Sequence, residues 1–400
     1  MNLDADFIKN ILTIRYNPLD PSINPTITWK DFRNTIQDKN GFQTEELLEK
    51  SITKNLSNKK SISISLSGGI DSTLCLGLIR KIFPEKKIFG FCGVFGEGND
   101  ESKIAGQVAN QFDTDFHIVH MDSIFSSMPE IISITKKPKW NTYVHLIAKK
   151  SKHYSTNLVT GDGADELFGG YTFRYNKFLH LLKSSDNWKI KTMKYLECHN
   201  RDWVPDQKQM FGNKIHFDWE EIYEYFRSSF QNKLCPLQQV MLADYNGKLL
   251  YDFIPLGKTI SSFYKITNFP IFLDPEIVYF ASKISLDQKY NHSKDKGKLL
   301  LREISKRLGI KHFEQKKGFS PGLLIDWKSH GKDISKQFLQ EKYSHIYKHG
   351  LINFDWVQKA FQIVDNDGDI RYLNRLISIL ALEIWYRLEI THEMKPSTKL

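Results

Sequence analysis

Four cysteines, Cys75, Cys92, Cys198 and Cys235, are spread over 400 residues, and no Cys-x-x-Cys pair occurs. That excludes a disulfide scaffold and a zinc ribbon and fits a reducing, cytoplasmic setting. No apolar run approaches the ~20 residues of a membrane helix, which excludes an integral helical membrane protein. The opening MNLDADFIKN is acidic and mixed, unlike a secretory signal. Internal repeats, low-complexity tracts and dense arginine runs are all missing. The excess of positive charge is modest, 56 Lys+Arg against 46 Asp+Glu for a net +10. It suits an anionic partner, for which a nucleotide or another phosphate serves as well as nucleic acid. Because the basic pairs are scattered, charge alone argues little for DNA or RNA.

What is present is an alternation. Residues 1–44 read as a turn-rich extension with a short helix, around Asn17-Pro18 and Asn24-Pro25. Leu48, Ile52 and Leu56 mark a helical face. Ile62, Ile64 and Leu66 then alternate with serines, as a strand does. Helix and strand patterns go on alternating, with strands expected at Ile88–Phe95, Phe116–Val119 and Leu158–Val159. This order predicts an α/β core with a parallel sheet over about residues 45–175. Residues 176–400 read as mostly helical, and the apolar stripe at Leu373–Trp385 reads as core packing.

Two loops carry the chemistry. Ser65-Leu66-Ser67-Gly68-Gly69-Ile70-Asp71-Ser72 joins a strand to a helix. Its glycines let the backbone approach a ligand, and the helix start offers free N–H groups to an anion. No Gly-Lys-Ser/Thr follows, so it is not a Walker A loop. The second loop, Gly161-Asp162-Gly163-Ala164-Asp165-Glu166-Leu167-Phe168-Gly169-Gly170-Tyr171, packs four glycines and three carboxylates together. In a parallel sheet both loops leave the carboxyl edge, so Asp71 and Asp165 can converge. Two carboxylates beside a phosphate loop suit Mg²⁺ shared with substrate phosphates.

Together the loops resemble the synthetase half of asparagine synthetase-type enzymes, a branch of the PP-loop ATP pyrophosphatases. Further segments resemble that family in order: Asp100-Glu101, Phe272-Leu273-Asp274, Lys298-Leu299-Leu300-Leu301-Arg302, Gln315-Lys316-Lys317-Gly318-Phe319, and a last helix holding Trp385. The resemblance covers roughly residues 45–390. It implies an adenine nucleotide alpha hydrolase-like fold and an amide-forming reaction. A carboxylate, aspartate by default, would attack the α-phosphorus of ATP, and ammonia would take the acyl group from AMP. It also implies roles for residues. Ser65, Leu66, Ser67, Gly68, Gly69, Asp71, Ser72, Thr160 and Gly161 would bind ATP. Asp71 and Asp165 would hold Mg²⁺. Lys316 would neutralise charge at the α-phosphate, and Asp162 would act as acid or base.

There are departures. The family's N-terminal glutaminase carries a cysteine directly after the initiator Met, where this chain has Asn2, so residues 1–44 are expected to be a remnant at most. Ammonia would come free or from a separate glutaminase subunit, and an exposed patch where the family's glutaminase packs could dock such a partner or form a homodimer. The family's Glu and Arg ahead of its "PFLD" segment are Thr267 and Phe269 here, which leaves the substrate open. Another acid or amine, a peptide macrolactam and a tRNA-modifying PP-loop enzyme remain as alternatives. Lys137 and Lys139 are read as solvated rather than as attracting an acidic substrate. Asp365–Asp369 is read as a polar loop rather than a calcium site, and His145 and His153 as packed or solvated histidines.

Overall fold

The computed structural model describes residues 4–32, 35–95, 101–121, 123–140, 144–199, 203–310 and 322–400. Its centre is a five-stranded sheet: β1 Ser61–Ser65, β2 Lys87–Phe95, β3 Asp115–Met121, β4 Asn157–Thr160 and β5 Thr267–Pro270. The order is β3-β2-β1-β4-β5, with every pairing parallel. Ile62 and Ile64 are fully buried, but so is Ser63 between them. Alternation therefore did not mean one wet face; helices cover both faces, as parallel sheets require.

On one face Leu48, Ile52 and Leu56 of helix Phe42–Leu56 pack with Leu74 and Leu78 of helix Ile70–Ile82 and with Leu301 and Ile304. Each such aliphatic side chain, fully buried, contributes roughly 1.5–3 kcal/mol. On the other face Phe91, Met121, Leu158, Ile260 and Tyr264 form a second layer. A third and larger cluster fills the helical part, where Ile8 and Leu12 of helix Ala5–Ile14 join Leu373, Leu376 and Leu380 of helix Ile370–Trp385. The stripe at Leu373–Trp385 is thus core, as expected. Arg375 fastens the N-terminal helix, donating to the Thr13 carbonyl at 3.1 Å.

β5 was not expected. Thr267-Asn268-Phe269-Pro270 has no apolar alternation, and proline cannot donate to a ladder. Both facts suit an edge strand, where β5 lies against β4. The region read as helical thus supplies the sheet's last strand. Among the described residues no helix is long and apolar enough to cross a membrane.

Candidate active site

The chain runs from β1 outward to β2 and β3, then returns to β4 on the other side of β1. Ile64 of β1 is registered with Val159 of β4. The loops after β1 and β4 therefore leave the sheet side by side at the point where strand order reverses, the usual ligand crevice of an open α/β sheet.

The first loop is tied by its own hydroxyls. The Ser67 N–H donates to Ser72 Oγ at 3.1 Å, and Ser72 Oγ lies 3.2 Å from the Gly69 carbonyl. Helix Ile70–Ile82 begins directly behind, with Asp71 in its first turn. The second loop touches the first: a Cβ on Gly161 would sit 2.8 Å from the Asp71 Cβ, so only glycine allows this approach. Thr160 Oγ1 donates to Asp162 Oδ2 at 2.8 Å, which orients that carboxylate at the strand's end. Phe272 and Leu273 support the loop from below, with Phe272 edge-on to Phe168 at 5.9 Å. Asp274 caps the following helix, accepting from the Glu276 N–H.

Asp71 and Asp165 meet as expected, and on a single cation. The Lys298 ammonium lies 2.5 Å from Asp71 Oδ2 and 2.5 Å from Asp165 Oδ1. This ammonium is a direct measure of fit: two hard oxygen donors already converge on one positive charge. No group of three or more potential protein ligands occurs among the described residues. Two carboxylates plus substrate phosphates is the usual way Mg²⁺ is held, so the donor set fits that ion. In the sequence Lys298 opens the segment Lys298–Arg302, which by itself assigns it no role. Its signal was there, a lysine directly before an apolar helix, but its reach across to the loops was not.

Glu166 is also part of the cleft. Burial, reinforced by the Asp165 charge, pushes its carboxyl up to about 7 against the hydrogen bond from Tyr171 OH at 2.7 Å. The cleft holds about 190 Å³, with Ser67, Asp162, Asp165 and Glu166 on its polar side and Val144 and Phe253 on its apolar side. Phe253 ends the π-helical stretch Tyr245–Phe253, a form common near functional sites. A larger cavity of 510 Å³ lies among Trp29, Tyr225 and Tyr251 and holds none of the motif residues.

Of the nucleotide residues read from sequence, Ser65, Ser67, Asp71, Ser72, Thr160 and Gly161 line the cleft. Leu66 is buried, its N–H bonded to the Phe91 carbonyl, and Gly68 turns the loop at φ +69°. Asp100 and Lys316, with the segment Gln315–Phe319, lie outside the described residues. Lys139 is not solvated, and Lys137 is only half-exposed. Lys139 is buried against Asp252 at 2.7 Å, and Lys137 pairs with Asp20 at 2.5 Å. Both are tied into the scaffold, because the turn after helix Met128–Thr135 packs onto the N-terminal segment and the π-helical stretch. His145 is packed beside Tyr264 and Glu130, and His153 is exposed. The polar-loop reading of Asp365–Asp369 does not hold: Asp365 to Asp367 end helix Phe354–Asp367, Gly368 caps it, Asp369 caps helix Ile370–Trp385, and Asp365 pairs with Lys332.

Residues 43–387 match the family model described as asparagine synthase. Among curated relatives, asparagine synthetase [glutamine-hydrolyzing] 1 of Bacillus subtilis is 25% identical over 34% of this chain and 22% of its own length. The maize asparagine synthetase [glutamine-hydrolyzing] is 28% identical over 40% of this chain and 30% of its own. The matched part spans under a third of either relative. Among solved structures, an NH3-dependent NAD synthetase from Campylobacter jejuni aligns with 53% of this chain and 96% of its own, at 17% identity and a TM-score of 0.27.

Proposed function

We infer the reaction from one premise: this chain belongs to the asparagine synthase family. The reading is an ATP-dependent ligase that adenylates a carboxylate, aspartate by default, and passes the acyl group to ammonia, with AMP and pyrophosphate released. Another acid or amine in the same two steps is the nearest alternative. The observation that carries the reading is the convergence of Asp71 and Asp165 on one cation beside the Ser67–Ser72 loop.

In this reading the Ser67 and Ser72 hydroxyls and the N–H groups at the start of helix Ile70–Ile82 bind the pyrophosphate portion of ATP. Asp71 and Asp165 would hold Mg²⁺, which when bound would offset charge on the leaving pyrophosphate. Thr160 and Gly161 face the nucleotide. Asp162, which accepts from the Thr160 hydroxyl, is assigned the role of acid or base toward the acyl-adenylate and the amine. Lys316 is assigned to the α-phosphate by its place in the family's lysine-glycine segment. Val144 and Phe253 form an apolar wall that excludes water from the acyl-adenylate. The test is ATP–pyrophosphate exchange across a panel of amino acids and peptides, followed by amide formation with and without ammonium. Exchange with one acid and amide formation only with ammonium are expected. Exchange without any ammonium-dependent amide would move the assignment to a different amine.

A further inference from the structure

We propose that Lys298 is a resident counter-ion that keeps divalent metal out of the Asp71–Asp165 pair until a nucleotide arrives. The inference rests on the metal role given to those carboxylates above. The ammonium occupies the point at which both carboxylates aim, 2.5 Å from each, and Lys298 is only 5% exposed. A buried acid, Asp165, and a half-buried one, Asp71, that both lie against one ammonium repel each other unless a cation lies between them. Lys298 supplies that cation from within the chain.

The lysine is placed there by construction. Its backbone is left-handed, φ +56°, at the start of helix Leu299–Arg307, a conformation unfavourable for a residue with a Cβ. The surroundings hold it there. Its N–H donates to the Phe168 carbonyl at 3.1 Å, and the next N–H donates to the Lys289 carbonyl at 3.2 Å. Ahead of it, the short antiparallel ribbon of Tyr290–Asn291 and Lys296–Gly297 fixes the approach. Gly170 of the acid loop leaves the passage: a Cβ there would run into both Asp165 Oδ1 and Lys298 Cε. A glycine in one loop and a strained lysine in a distant segment thus make one arrangement.

A divalent ion entering alone would have to expel the ammonium from its two carboxylates and leave it buried without them, which is strongly unfavourable for an ion in protein. ATP brings phosphate charge into the cleft and gives the displaced ammonium other anions to face. Nucleotide binding therefore raises metal affinity, and by linkage metal raises nucleotide affinity by the same factor. The metal would enter with ATP rather than before it.

Mn²⁺ as a paramagnetic probe tests this without reference to turnover. Water-proton relaxation enhancement would be measured on the full chain with Mn²⁺ alone and with Mn²⁺ plus α,β-methylene-ATP. For the unaltered chain, enhancement is expected only with the nucleotide. In Lys298→Met, Mn²⁺ alone should bind more tightly by about 10-fold or more, the range of an ordinary coupling free energy. Bound Mn²⁺ should also raise its Tm. Tight Mn²⁺ binding by the unaltered chain without nucleotide would overturn the counter-ion role and leave the metal assignment standing. That arm is decisive even if Lys298→Met does not fold. No enhancement in either protein under any condition would overturn the metal assignment itself, and this inference with it.

Discussion

Two buried ionic centres of this protein contrast sharply. In the helical part, Arg174 donates to Asp244 at 2.8 Å, Tyr195 OH donates to the same carboxylate at 2.8 Å, and the guanidinium lies 3.8 Å over the Tyr171 ring. At the sheet edge, Lys298 lies between Asp71 and Asp165. Arg174, Asp244, Lys298 and Asp165 are all buried, and Asp71 is half-buried at the cleft. The first is built by helix-borne side chains and walled by aromatic rings. The second is built by glycine loops and a left-handed lysine, and it opens on a cleft. Burial of charge by itself does not distinguish a scaffold from a site; backbone construction and access do. Tyr171 touches both centres, through its ring to Arg174 and its hydroxyl to Glu166, so the scaffold pair also holds the cleft wall.

The contrast breaks most visibly by substitution. Asp71→Asn and Asp165→Asn should each lower pyrophosphate release by about 10²–10³-fold, the scale of losing a preorganised charge at a reacting phosphate. The thermal transition should stay in place. Asp244→Asn should do the reverse: it leaves a buried guanidinium without its acid and should cost about 3–5 kcal/mol in urea unfolding. Equal stability losses at both centres would erase the distinction.

Gly170→Ala should come next. It crowds Asp165 and Lys298 without removing any charge, and a displacement near 1 Å at a reacting centre costs about 10–100-fold in turnover. Pyrophosphate release by the purified variant measures it.

Glu166 sharpens the comparison through pH. Its folded carboxyl is raised to about 7 from an ordinary 4.5. The folded state therefore binds a proton that the unfolded chain has released. The stability this contributes is complete below the unfolded value and is lost as pH rises through about 7, amounting to about 3 kcal/mol at most. Glu166→Gln keeps an acceptor for Tyr171 and should flatten the stability profile between pH 5 and 8. An unchanged profile would show that Glu166 is ionised throughout.

The smallest expected signal is a zero. Cys75, Cys92 and Cys198 are buried, burial pushes the Cys75 thiol well up and Cys198 up to about 12, and Cys235 is exposed. A thiol raised in this way is a poor nucleophile, and this chain should release no glutamate from glutamine. Glutamate release by the purified chain would contradict that.

The legible parts of the molecule were those where one short segment carries its own signal. Ser61–Ser65 and the Gly161–Tyr171 loop announce a strand and a ligand loop through composition, and parallel topology then brings Asp71 beside Asp165. β5 was hidden because a four-residue edge strand with Thr, Asn and Pro needs no apolar pattern. Lys298 was hidden for a different reason. Its position depends on a hairpin, a left-handed residue and a glycine more than a hundred residues away, a convergence that no local window displays. Lys139 misled because a lysine in the basic run Lys136-Lys137-Pro138-Lys139 reads as solvated, whereas Asp252, its partner, lies on a distant π-helical turn.

The central claim is that the sheet-edge cleft splits ATP between its α and β phosphates on behalf of a carboxylate. The most direct test is product analysis by ³¹P NMR of ATP turnover with the acid that supports exchange, in the unaltered chain and in Asp165→Asn. The account predicts AMP and pyrophosphate in equal amounts from the unaltered chain and neither product from the variant. ADP and phosphate as the products, or normal turnover in Asp165→Asn, would contradict it.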